Sequence, residues 1–209
     1  SVEIFCRFLE HTYPRLDILI NNAAQTVRRP PDFYAHLLEN EFRPATDLPA
    51  EARGLLRSHR ECVARLTGST PEALASVREA PGLVPWDQGG AGQGLVASAR
   101  LSQVRYAYDE TARRPDLFPD GRTDADLQQV DLRDRNTWRL TLSEVPTPEM
   151  IEVHLVNAVA PFILCGRLKP LMMRDRTDEK HIVNVTAMEG IFSRGTKTDK
   201  HPHTNMAKA

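Results

Sequence analysis

The last nine residues, HPHTNMAKA (201–209), hold the side chains best spaced for chemistry. They read as the opening turns of a helix that carries Lys208 toward a bound ligand. A proton donor is expected one helical turn earlier, because residues four apart share a helical face. Thr204 stands there, and an aliphatic hydroxyl is far too weak an acid to ionise; it can only relay a proton or hydrogen-bond to a carbonyl. His201 lies on roughly the same face, and an imidazole titrating near ~6.5 suits proton transfer. The plainer reading of His201 is a loop residue entering the helix with Pro202 in its first turn, since nothing fixes its ring beside a substrate. A metal site on His201 and His203 lacks an evident third ligand.

The elements that must position these groups follow from hydrophobic patterning. Val2, Phe5, Cys6, Phe8 and Leu9 recur at helical spacing, which predicts the end of an amphipathic helix over 2–12. LDILI (16–20) and HIVNV (181–185) are short apolar runs of the kind found in buried parallel strands. Between them, 147–173 predicts a long helix with Thr147 as N-cap, Pro148 in the first turn and Glu149 at the positive end of the dipole. Its apolar residues cover nearly every side, which predicts burial against a sheet and a second helix. Pro161 interrupts it and frees a backbone carbonyl near Asn157. Helix, strand, long helical connection, strand and helix start spell an α/β arrangement with a parallel sheet.

Residues 27–146 differ in composition, being rich in charge, proline and glycine. One helix is predicted from the apolar face Ala52, Leu55, Leu56, Cys62, Val63 and Leu66, and another from STPEALASVREA (69–80). DQGGAGQG (87–94) reads as a flexible joint; its glycines fit no phosphate-loop spacing and no strand precedes them. Residues 113–139 read as exposed, loosely structured surface.

Composition narrows the classes. A hydrophobic content of 41% suits a globular core, and a net charge of -1 gives no reason to expect nucleic acid or an anionic membrane. No run reads as approaching the ~20 apolar residues of a membrane helix. Cys6, Cys62 and Cys165 are far apart and form no CxxC pair, which points to a reducing, cytoplasmic setting with cysteines as small apolar fillers. The chain opens in mid-helix without a methionine, so a fragment is expected.

Four pieces occur in a telling order: LDILINNAA (16–24), VNAVAPF (156–162), HIVNVTAMEG (181–190) and HTNMAKA (203–209). Together they resemble the short-chain dehydrogenase/reductase family, over residues 1–26 and 147–209. The resemblance implies a partial doubly wound parallel-sheet, Rossmann-type α/β core. Its first βαβ units would precede Ser1, its last strands would follow Ala209, and 27–146 would be an insertion. It implies an NAD- or NADP-dependent oxidoreductase moving hydride between a nicotinamide and a small alcohol or carbonyl substrate. Asn21, Asn22 and Ala23 of NNAA would lie along the cofactor, with Lys208 on the nicotinamide ribose. Asn157 matches the family's helix asparagine, which holds a water in the proton relay. The family's tyrosine position is Thr204 and its serine position is Ala187, with Thr186 just before it.

Two departures in four catalytic positions keep a second reading open, a catalytically silent member used as a binding or regulatory module. Asn21, Asn22, Asn157 and Asn184 could instead serve only to satisfy backbone groups. The resemblance implies weak or no cofactor binding by this chain alone, a ligand lid or partner surface in 27–146, and a homo-oligomer through the 147–173 helix, weighed equally against burial within one subunit.

Overall fold

A computed structural model describes residues 2–26, 28–67, 102–106, 116–193 and 195–209. The predicted helix over 69–80 and the joint over 87–94 lie outside them. In chain order the elements are α1 (Val2–Thr12), β1 (Ile18–Asn21), α2 (Pro31–Tyr34), α3 (Leu38–Glu41), α4 (Ala50–Leu55), α5 (Arg57–Thr67), α6 (Thr147–His154), α7 (Ala160–Met173), β2 (His181–Asn184) and α8 (Pro202–Lys208), with short 3-10 turns between. The chain divides into two compact units, one of 29–132 and one of 2–28 with 133–209.

The second unit carries every residue singled out for chemistry. In α1 the helical repeat puts Cys6 inward, where it meets Leu168 and Leu171 of α7. Val2, Leu9, Leu16, Leu19 and Leu164 close around that nucleus. Burial pushes the Cys6 thiol up, which keeps it protonated and inert, as a filler should be. Ion pairs rim this contact, among them Arg167 with Glu3 at 2.8 Å; being exposed, they add little.

β1 and β2 pair in parallel, in the register Ile18 with His181 through Asn21 with Asn184. One extra bond at each end extends the ladder, from His181 N–H to Asp17 O and from Val185 N–H to Asn21 O. Leu19 faces the α1–α7 core. Alternation then turns Ile18, Ile20, Val183 and Val185 to the other face, where all are exposed.

The Rossmann-type expectation is therefore corrected. Among the described residues the chain is mainly helical, and its sheet has two strands, of which β2 is exposed throughout, not a doubly wound sheet with helices on both faces. Two short apolar runs with a helix between them do favour parallel pairing. They say nothing about how many further strands join, and outside the pair the described residues add only the isolated bridge of Thr123 with Gln129.

The long helix also differs from its expectation. It starts at Thr147 with Pro146 as the capping residue, and no side chain caps it. Leu155–Val159 is a π-helical turn, with Ala160 N–H bonded five residues back to Leu155 O. Pro161 explains the local change, because it has no N–H for the Asn157 carbonyl and its ring crowds the preceding turn. Burial is partial: Ile151, Leu155 and Phe162 are exposed, the last at 80%. By length and composition the run Thr147–Met173 is sufficient to cross a membrane, which corrects the reading that no run is; a soluble protein's core helix passes the same test.

The first unit is built around Phe33, which meets Tyr34 and Phe118 edge-on and lies under the Arg29 guanidinium. Arg29 also pairs with Asp131. Phe118 and Gln129 are buried, so 116–132 is more ordered than its composition implied. Asp124 accepts from the N–H groups of Asp126 and Gln128 and closes that loop. The single predicted helix over 52–66 is two, α4 and α5, and Leu55 at their junction is exposed.

Two outcomes test this account. Leu168→Ala should lower unfolding free energy by about 2–5 kcal/mol in denaturant titration, while the exposed Leu142→Ala should stay within about 0.5. Glu144 has its carboxyl held at about 2, below the usual 4.5, first by Arg135 and then by the Thr141 hydroxyl and N–H. A depressed carboxylate stabilises the fold above its unfolded value, and that contribution is lost as pH falls from about 4.5 toward about 2. Carboxyl carbon NMR should show this low midpoint in the parent and a value back near the usual range in Arg135→Ala.

Candidate functional site

The site is built where β1 and β2 end. Parallel strands deliver their following segments to the same edge, and a gap opens where those segments diverge. Here the gap is a cleft of about 520 Å³, within the range of small-molecule sites. Its lining comes from the end of β1 (Asn21, Ala23), the π turn and start of α7 (Asn157, Phe162, Cys165), the end of β2 (Asn184, Thr186) and the end of α8 (Lys208).

Asn21 forms the floor. Its Nδ2 donates to Asn184 Oδ1 at 2.7 Å and to Cys165 Sγ at 3.5 Å. Its Oδ1 is buried and has no hydrogen-bond partner among the described residues. Thr186 Oγ1 donates to the Lys208 carbonyl at 2.7 Å and so holds the last turn of α8 against the exit of β2. The turn at Met188–Gly190 reinforces this closure. A Cβ on Gly190 would sit 2.1 Å from Lys208 O, so only glycine permits the approach.

Asn157 faces the cleft with its amide already committed. It accepts from Gln25 N–H at 3.0 Å and donates to Gln25 O at 2.6 Å, which splints the segment leaving β1 as a neighbouring strand would. The helix continues that work: Glu152 accepts from Gln25 Nε2 at 2.7 Å, and Glu149 accepts from Arg28 N–H at 3.0 Å. Glu149 is fully buried, so it does more than favour a helix dipole.

The structure thus gathers Asn21, Ala23, Asn157 and Lys208 around one cleft and leaves two sequence candidates out. Asn22 is exposed and does not line it. Thr204 is fully buried, and its hydroxyl donates to Thr26 O, so it fastens α8 to the post-β1 segment and cannot serve as the cleft's proton donor. The i, i+4 argument fails here because the short helix turns Thr204 toward Thr26 and α6. Ala187 offers no hydroxyl, while Thr186 does line the cleft. His201 adopts a left-handed backbone (φ 40, ψ 48) and stacks on Trp138 with ring centroids 3.7 Å apart. That stacking makes it a loop-to-helix corner outside the cleft. Among the described residues no group of three His, Cys, Asp or Glu side chains is placed to hold a metal ion.

Sequence reasoning missed Cys165, Gln25 and Glu149. Cys165 was taken as filler, and no motif marks it as a cleft residue. Glu149 meets Arg28, and Gln25 meets Asn157, only by tertiary contact.

The sequence matches no protein-family model, and no solved structure matches it. An 80-residue stretch is 35% identical to an uncharacterized protein, R665, of Acanthamoeba polyphaga mimivirus. The match covers 38% of this chain and 16% of that protein's length.

Gly190→Ala should cost about 1–3 kcal/mol of stability, as overpacking against backbone does. Thermal unfolding would check it, and an unchanged midpoint would contradict the close approach.

Proposed function

We propose that this chain carries the nicotinamide-ribose side of an NAD(P)-dependent oxidoreductase site of the short-chain dehydrogenase/reductase type, acting on a small alcohol or carbonyl compound. The observation that carries the reading is the convergence of Asn21, Ala23, Asn157 and Lys208, distant in sequence, on one cleft. The residues suit part of the cofactor. Lys208 supplies an ammonium with three donors, of the kind sugar hydroxyls accept. The Asn157–Gln25 splint keeps the rim rigid, so little ordering cost falls on binding. When bound, the cofactor supplies hydride transfer. This chain's residues would orient the sugar and hold Lys208 near the reacting end.

Proton transfer is where the site is atypical. With Thr204 turned inward, the ionisable side chains on the cleft are Cys165 and Lys208. The second reading, a silent binding or regulatory module, is favoured by the buried Thr204 and by Ala187. On either reading we take the protein as cytoplasmic and the long helix, 11% of whose apolar stretch is buried, as packed within it rather than in a membrane. Its polar side chains support that, since Glu149, Glu152 and Asn157 are spent on the post-β1 segment.

Fluorescence titration of the chain with NADPH and NADH tests the proposal. Weak but saturable binding is expected, reduced roughly tenfold or more in Lys208→Ala through loss of a charged hydrogen bond. Equal binding by parent and variant would overturn it. Carbonyl reduction that survives Thr204→Val would fit an enzyme whose acid lies elsewhere; no turnover in the parent despite binding would favour the silent module.

A further inference from the structure

A buried acid–base pair lies behind the cleft and has no part in the reading above. Glu149 of α6 and His203 of α8 are 0% and 2% exposed. His203 Nε2 stands 3.4 Å from Glu149 Oε1, the same oxygen that accepts Arg28 N–H. The contact falls short of hydrogen-bond geometry: among the described residues Glu149 Oε2 and both ring nitrogens of His203 have no hydrogen-bond partner. Ionisable groups buried on these terms are costly, and apolar side chains of similar volume would fill the space more cheaply.

The surrounding charges give the pair a use. On α6, Glu149 and Glu152 face inward, and His154 is turned to Met150 O through its Nδ1. On the post-β1 segment, the buried Arg28 has its Nε 3.6 Å from Glu152 Oε2. On α8 there is His203, while His201 is stacked on Trp138. A proton on His203 would set a positive charge 3.4 Å from the Glu149 carboxyl. At contact distance in a low-dielectric interior, that proton changes the force between α6 and α8 far more than it would in water.

Both cleft walls hang on this cluster. Glu149 holds the Arg28 backbone, Glu152 holds the Gln25 side chain, and Gln25 holds Asn157 on the cleft. His203 stands in the first turn of the same short helix that ends in Lys208.

We propose that Glu149 and His203 are positioning residues: proton uptake by His203 draws α8 and the post-β1 segment onto α6 and sets the cleft in its binding geometry. The affinity arm of the test rests on the nicotinamide reading; the geometric arm does not. In NMR spectra of the full chain between about pH 5 and about pH 8, where imidazoles change charge, the amides of Asn21, Gln25, Asn157 and Lys208 should shift together with the His203 ring nitrogens. In Glu149→Gln, and equally in His203→Gln, those amides should stay still across the same interval. Cleft amides indifferent to the His203 ring in the parent overturn the proposal, and that comparison needs no variant to fold. NADPH affinity should rise about fivefold as pH falls through the same interval, and stay flat in Glu149→Gln. Moving amides without NADPH binding would uphold the clasp and sink the nicotinamide reading; binding whose pH dependence survives in Glu149→Gln would overturn the clasp.

Discussion

The segment that leaves β1 has no regular structure of its own, and its position depends on one helix reaching across to it. Asn157, Glu152 and Glu149 project from successive turns of the long helix and take up Gln25 and Arg28 in order. Backbone groups in such a segment must find partners or water. By supplying partners from one helix, the fold turns a connection into a wall. Thr204 adds a fourth hold from α8, through Thr26 O. The cleft exists because this wall stands away from the exit of β2, with Asn21 as its floor.

A π turn sits in the middle of that helix for a reason that can be traced to one residue. Pro161 denies the Asn157 carbonyl its usual donor, and the helix widens through Leu155–Val159. The irregular stretch is the one that borders the cleft. Acceptors left over from a helix are useful only beside a ligand or water, so regularity has been given up at the cleft and kept in α7, where Leu168 and Leu171 build the core with Cys6.

Much of the second unit was legible in the linear pattern. The α1 repeat, the two apolar strand runs and the long helix fall close to their expected positions, because period and length alone distinguish them. Of the residues singled out by their order along the chain, Asn21, Ala23, Asn157 and Lys208 line one cleft. The extent of the sheet was not legible, since hydrophobic runs carry no count of their neighbours. Thr204 was misplaced for a related reason. Spacing tells which residues share a helical face, but not which way that face is turned when the helix is short and docks on two sides. His201 follows the same rule: its stacking on Trp138 joins residues far apart in sequence.

By itself the sequence determined the local elements, the parallel sense of the strand pair and the residue types available to a ligand, because these follow from periodicity and side-chain chemistry. Only the tertiary structure decided that Asn157 splints Gln25, that Thr204 is buried and that Glu149 meets His203. Each depends on where one helix lands on another segment, and packing geometry across more than fifty residues of separation leaves no mark in any local window.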